Sequence, residues 1–297
     1  MTIVSHSDSS RSHYKIVLIS VYMGQPPFWM PAFMLSCSLN PDMQWFVYTD
    51  MPEPPHCPIN VKFIPTDLSE FNHRASKALG MKIEIRRNYA YKICDLKPTF
   101  GLIFKEDIQP FDFWGHGDLD VVWGDIFHFI TPKILATHDI ITSRVQRISG
   151  HFCLFRNAPE VNSTYKWIPR ISKMMQDNKK YCSVDEGHIT DYLYVHNNPN
   201  WVVKVKQALL GKQEIRPRVY WEKDLTTSGA HQRAMGDGID RCWWWKNGKT
   251  YNSDGREVMY LHFHNIKKTM KSINFTYGDQ PHELMITKQG IVGLLYP

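Results

Sequence analysis

The sequence predicts an α/β fold: a central mixed sheet flanked by helices, with a β-hairpin-rich C-terminal part. Three observations carry this expectation. Residues 15–23, Lys-Ile-Val-Leu-Ile-Ser-Val-Tyr-Met, are nearly all apolar and rich in β-branched side chains, as in a strand buried on both faces. Strand-like and helix-like segments then alternate, the rhythm of a layered α/β sheet. After residue 216 the pattern changes to hairpin chemistry, with Asn247-Gly248 between strand-like arms at 242–251, a type I′ turn signature.

Taken in order, residues 1–13 are polar and Ser/His-rich without an apolar core. They read as a frayed tail rather than a secretory signal, leaving 14–297 as a single domain. Residues 28–39 read as a helix ended by Asn40-Pro41. Strands are expected at 45–50 and 61–65. Residues 68–102 read as mostly helical, with Tyr89, Lys92 and Leu96 on one face. A strand at 112–116 leads into Gly117-Asp118-Leu119-Asp120. Thr131-Pro132 is a cap followed by proline at the first helical position. Short strands follow at 139–143 and 151–156. Residues 159–178 read as an amphipathic helix, and 185–195 as another with Asp185 at its N-cap. Residues 257–264 read as a strand.

The composition is that of an ordinary folded protein: 43% hydrophobic and 22% charged residues. No apolar run reaches about 18 residues, so no membrane span is expected. The six cysteines form no C-x-x-C pair, which argues against a structural zinc site and a disulfide scaffold and for a reducing, cytoplasmic setting. In a chain without an export signal the sequons at Asn162 and Asn274 read as chance matches. The net charge of +6 comes without a clustered Lys/Arg face, since only short pairs occur (Arg86-Arg87, Lys179-Lys180, Lys267-Lys268). That excludes nucleic acid as the expected partner and leaves a basic pocket for phosphorylated small molecules.

The chemistry centres on Trp114-Gly115-His116-Gly117-Asp118-Leu119-Asp120-Val121-Val122-Trp123-Gly124-Asp125. In extended backbone Asp118 and Asp120 project to one face and Leu119 to the other. Two hard oxygen ligands on one side suit a divalent cation, Mn²⁺ or Mg²⁺, that also carries a substrate diphosphate. The competing reading is a turn with two solvated acids.

Residues 92–98, Lys-Ile-Cys-Asp-Leu-Lys-Pro, together with Phe113–Asp125, resemble the DUF6625-type family of polysaccharide glycosyltransferases, over roughly residues 15–268. The resemblance implies the GT-A fold, a Rossmann-related nucleotide-binding sheet with a D-x-D metal motif, and transfer of a hexosyl or pentosyl group. The donor would be a nucleotide sugar, by default UDP-linked, and the acceptor a hydroxyl of an oligosaccharide or glycan. By similarity Asp120 would bind the metal, and Asp118 the ribose or a metal-bound water, so both enter the metal set. Val21, Tyr22 and Asp50 would flank the base and ribose, since ligands in open α/β sheets sit outside the carboxyl ends of strands. Lys92 and Asp95 would contact the donor. His262 or His264, two residues apart on one strand face, would add a metal ligand, and Lys267 and Lys268 would neutralise the leaving diphosphate. Asp185-Glu186 resembles the acidic pair near the acceptor in inverting enzymes of this fold, one of the two acting as general base. Gly150, His151 and Trp244 would line the acceptor site.

Each residue also has a plainer role. Asp125 reads as a helix N-cap, Asp185 as another, and Glu186 as a first-turn acid suited to the helix dipole. His262 and His264 read equally well as hydrogen-bonded structural histidines. Burial in a hairpin explains at least one of Trp243, Trp244 and Trp245, and Lys92 can pair with Asp95 across one helical turn. Three other functions compete. A nucleotidyltransferase needs a basic, Gly-rich loop after the first strand, and here Gly24-Gln25-Pro26-Pro27-Phe28 follows. A metal hydrolase built on His262 and His264 would show more His/Asp ligands at strand ends. A non-catalytic carbohydrate-binding protein would account for ten Trp and fourteen Tyr, though not for the acids and lysines in this order.

Overall fold

The computed structural model describes residues 14–197, 217–227 and 241–294; the expected N-terminal tail lies outside them. A seven-stranded sheet forms the centre. Its strands are β1 (Ile16–Tyr22), β2 (Met43–Thr49), β3 (Val61–Pro65), β4 (Phe113–Gly117), β6 (Ile140–Thr142), β7 (Phe152–Arg156) and β8 (Val219–Tyr220). The order is β3-β2-β1-β4-β7-β6-β8. The first four are parallel, and β7 runs antiparallel between β4 and β6. This is the mixed central sheet that the sequence predicts.

The buried-on-both-faces expectation for β1 holds. Val17 and Ile19 pack into one core cluster with Tyr48, Phe71 and Trp114. Ile16 and Leu18 face the other, with Trp45, Val47 and Phe152. Helix α1 (Met30–Ser38) covers the second face and α2 (Leu68–Leu79) the first. In α2, Asp67 caps the start by accepting from Glu70 N, and Gly80 closes the end at φ 63°, a left-handed position natural to glycine.

Beyond α2, residues Arg87–Thr99 form a 3-10 segment broken at Tyr89 (φ −141°) rather than a regular helix, so Tyr89 does not share the helical face assigned to it. Residues 159–178 also depart from expectation. They break into Pro159–Asn162, Thr164–Trp167 and Ile171–Gln176. Pro169 explains the second break: the residue before a proline is driven to extended backbone, and Ile168 has ψ 120°. Asp125 and Thr131 cap short helices as expected, accepting from His128 N at 3.2 Å and Ile134 N at 3.4 Å.

The C-terminal part is β-rich. A six-stranded sheet holds β9 (Trp243–Lys246), β10 (Lys249–Tyr251), β11 (Glu257–Val258), β13 (Ser272–Ile273), β14 (Glu283–Ile286) and β15 (Gly290–Leu294). Asn247 (φ 46°) and Gly248 (φ 84°) make the β9–β10 turn, the two positive φ values a type I′ turn needs. Residues 257–264 are not one strand. β11 pairs with β10, and β12 (Tyr260–His262) leaves to pair with β5 (Val121–Trp123). Trp245 Nε1 donates to Trp123 O at 3.0 Å beside that pairing, joining the C-terminal sheet to the segment after Asp120. No described helix is long and apolar enough to cross a membrane. Asn162 is buried and accepts from Trp114 Nε1 at 2.6 Å, a core role that leaves its side chain no room for a glycan.

Candidate active site

The site gathers where β1, β4 and the β5–β12 pair end. Asp118-Leu119-Asp120 forms the bend between β4 and β5, and a different element holds each residue. Asp118 N donates to His151 O at 3.2 Å. Leu119 O accepts from Trp29 Nε1 at 3.0 Å. Phe263 N donates to Asp120 O at 3.1 Å. Leu119 is buried in the core, an anchor worth roughly 1.5–3 kcal/mol.

The bend sends the two carboxylates to different partners, which corrects the expectation of one shared extended face. Asp118 Oδ1 accepts from Lys97 Nζ at 2.6 Å. Asp120 Oδ2 accepts from Lys267 Nζ at 2.7 Å and lies 3.6 Å from His262 Nε2 and 3.8 Å from His264 Nδ1. Burial alone would raise the Asp120 pKa. The two histidines and Lys267 overcome that and hold it well below the usual carboxylate range.

Asp120, His262 and His264 offer ligand atoms all within 4.8 Å of one another. Register explains how residues some 140 positions apart meet: β12 aligns His262 with Val121, and His264 follows two residues on. His262 is buried with no hydrogen-bond partner at Nδ1 or Nε2, and such atoms are costly unless something satisfies them. A nitrogen pair beside a carboxylate is a donor set that fits a divalent cation. Both histidines belong to this group. Asp118 stands outside it.

Two cavities of about 250 and about 270 Å³ meet over these residues. Val21, Tyr22, Asp118, Asp120 and Lys267 line the first. The second is walled by Asp118, Gly150, His151, Asp185, Glu186 and both histidines. Tyr91, Cys94 and Lys97 line both. Asp50 lines neither cavity: Oδ1 accepts from Gly24 N at 2.8 Å and Oδ2 from Arg87 Nη1 at 2.6 Å, so it fixes the loop after β1. Lys268 is exposed and lines neither cavity. Trp244 also lines neither; it lies on β9 with Lys246 Nζ 4.8 Å over its ring, away from the acceptor wall assigned to it.

Asp185 and Glu186 face this space beside Gly150. Their turn, Val184–His188, is a single π-helical turn entered through Ser183 in the left-handed region (φ 59°), and no side chain caps it. Asp185 is therefore not an N-cap. Its Oδ1 accepts from Tyr181 OH at 2.6 Å. Burial, only partly offset by Lys97 and Tyr181, pushes its carboxyl up to about 7. Glu186 is occupied at both oxygens: Oε1 accepts from Gly150 N and Oε2 from Arg147 Nη2, each at 3.0 Å. A Cβ at Gly150 would meet Asp185 Oδ2 and Glu186 Oε1, both at 2.8 Å, and would push the two carboxylates aside.

Lys92 and Asp95 do not reach the cavities. They are 1% and 0% exposed. Lys92 Nζ donates to Asp95 Oδ2 at 2.7 Å, to Met174 O at 2.5 Å and to Lys180 O at 3.1 Å. Asp95 accepts from Cys182 N at 2.7 Å and Val184 N at 2.9 Å. The donor contact expected of this pair gives way to support: it fixes the backbone that carries Asp185. Lys92→Met should cost about 3–5 kcal/mol, since it leaves a buried carboxylate without its cation. Urea unfolding measures this, and a loss under about 1 kcal/mol would contradict the support role.

Lys97 was not singled out from the sequence, although it sits in the quoted motif. It is buried and bridges Asp118 to Gly150 O at 2.7 Å. Burial would lower its pKa, but Asp118, Cys94 and Asp185 hold it well above the usual lysine value. The signal in the sequence is a lysine before a proline, two residues after an acid. His151 is also internal: Nε2 meets Ser149 Oγ at 2.9 Å and Nδ1 meets Tyr260 OH at 2.7 Å. It stacks on His262 at 4.0 Å between ring centres, so it backs the histidine pair.

The chain belongs to a family of unknown function, DUF6625, whose profile matches residues 18–294. No functionally curated protein matches it. Among solved structures it is similar to the galactosyltransferase LgtC in complex with donor and acceptor sugar analogs, at 12% identity and TM-score 0.41, over 84% of this chain and 87% of that one. It is also similar to mouse xyloside xylosyltransferase 1, at 10% identity and TM-score 0.41, over 85% of this chain and 98% of that one. A third, the glycosyltransferase GlyE of Streptococcus pneumoniae TIGR4, shares 8% identity at TM-score 0.28, over 72% and 56% of the two chains.

Proposed function

We propose that this protein is a GT-A-type, metal-dependent glycosyltransferase. It would move a sugar from a nucleoside diphosphate, by default UDP, to a hydroxyl of a glycan acceptor with inversion, in polysaccharide or surface-glycan synthesis. The observation that carries this reading is the convergence of Lys267, His262 and His264 on Asp120 Oδ2 in a cleft whose far wall holds Asp185.

Asp120, His262 and His264 would hold the cation, which when bound would bring positive charge to the donor diphosphate. Two imidazoles in the set favour Mn²⁺ over Mg²⁺, which prefers an all-oxygen shell. Val21 and Tyr22, at the carboxyl end of β1, would flank the nucleoside. Lys267 adds a cation on the side where the diphosphate departs. Lys97 neutralises Asp118, leaving that acid a fixed acceptor for a donor hydroxyl. Asp185 serves as the base: its Oδ1 is steadied by Tyr181, and a carboxyl with pKa about 7 takes a proton from an attacking hydroxyl near neutral pH more readily than an ordinary carboxylate does. Glu186 orients the Gly150 backbone and Arg147.

Calorimetry with a panel of nucleoside diphosphates, with and without Mn²⁺, tests the reading. The expected result is binding of one base that strengthens at least tenfold with Mn²⁺, the gain from one added favourable charge contact. Absence of binding under both conditions overturns it. The anomeric configuration of the product, read by NMR, tests inversion.

A further inference from the structure

A cavity of about 990 Å³ lies outside the donor cleft. Its walls include Trp167, Arg170, Lys173, Lys180 and Tyr181. Tyr181 also lines the cavity of Asp185 and donates to it, so the two spaces adjoin at the base. The volume stands at the upper end of ligand pockets, roughly 300–1,000 Å³, and takes an oligosaccharide rather than a single ring.

Three features give this cavity a chemical character. Arg170, Lys173 and Lys180 are exposed, and no described carboxylate forms an ion pair with any of them. Asp177 and Asp191 also line it; Asp177 accepts from Lys179 N at 2.9 Å and feels the charge of Lys180, and the three cations outnumber the two acids. Trp167 is 47% exposed, a flat apolar face of the kind that packs on a ring. Arg170 adopts φ 61° and ψ 21°, a conformation rare for a residue with a side chain and concentrated at functional sites. The buried Lys92 grips the cavity's rim from below at Met174 O and Lys180 O, so the motif that steadies the base also shapes this wall.

Resting on the transferase reading above, we propose that the acceptor is an oligosaccharide bearing anionic groups, carboxylate or phosphate, and that it lies across Trp167 with its charges toward Arg170, Lys173 and Lys180.

Three matched probes test this: an oligosaccharide containing hexuronic acid, its carboxyl-reduced neutral counterpart, and a phosphodiester-linked oligosaccharide. Each is titrated against the full chain at low salt. One of the two anionic probes should bind at least tenfold tighter than the neutral one, and the preferred probe names the anion. Lys173→Gln/Lys180→Gln alters two exposed side chains, and an unchanged melting temperature verifies its fold. It should weaken that probe about five- to tenfold, as loss of two screened charge contacts does. Equal binding of neutral and anionic probes, no binding of any probe, or unchanged affinity in the double variant overturns the proposal. Nucleotide binding with Mn²⁺, measured on the same protein, separates the two readings. If nucleotide binds and the anionic preference is absent, only the acceptor assignment falls. If no nucleotide binds, the transferase reading falls.

Discussion

Asp120→Ala should abolish the metal dependence of nucleotide binding and lower glycosyl transfer by on the order of a thousandfold, the scale expected when charge stabilisation of a leaving diphosphate is lost. The reason is convergence on one oxygen. Lys267, His262 and His264 all approach Asp120 Oδ2, so the alanine removes the only carboxylate of the ligand group and leaves three basic groups facing one another. Asp120→Asn keeps the shape and removes the charge. It should lose the Mn²⁺ effect equally while melting close to the parent, which separates ligand loss from misfolding. Nucleotide binding that stays as metal-dependent as before in both variants would remove Asp120 from the metal site.

Asp185→Asn should reduce transfer by about 10²–10⁴-fold, the usual share of a general base, and flatten the pH profile. In the parent, kcat/KM should rise with pH through an apparent pKa near the value of about 7 set by burial. Stability runs in the opposite sense. The folded pKa lies above the unfolded value of 3.8, so between these values the folded chain keeps a proton that the unfolded chain sheds. The stabilisation is complete below about pH 4 and falls by on the order of 2–4 kcal/mol as pH approaches 7. Asp185→Asn carries no such titration, so its stability relative to the parent should improve as pH rises from 5 to 8. Denaturant midpoints at both pH values measure it, and parallel pH dependence in parent and variant would contradict the assignment.

What the sequence made legible follows from range. β1 and β2 announce themselves because both faces are buried and the side chains on both need to be apolar. The Asn247-Gly248 turn is legible because two successive positive φ values restrict the residue types. The cation group was half legible: Asp120 and the two histidines stood out individually, but their meeting depends on β5 pairing with β12, which no local pattern encodes. The divergence of Asp118 from Asp120 was hidden for the same reason, since Lys97, Trp29 and Phe263 fix that bend from elsewhere in the chain. The break near residue 168 was readable in Pro169 and was overridden by the apolar periodicity around it. Lys92 and Asp95 were visible as a helical pair; that they support the Asp185 turn rather than touch the donor depends on Cys182 and Val184, almost ninety residues away.

The β5–β12 pairing also has a consequence for biogenesis. Synthesis delivers the carboxyl ends of β1 and β4 long before it delivers His262 and His264, and segments made early are the first able to fold. A nascent chain stopped short of residue 260 holds Asp120 and the seven strands of the central sheet but lacks His262 and His264. Under the reading proposed above, loading of a cation would wait for a strand made about 140 residues after Asp120, and loss of β12 would take His262 out of the group.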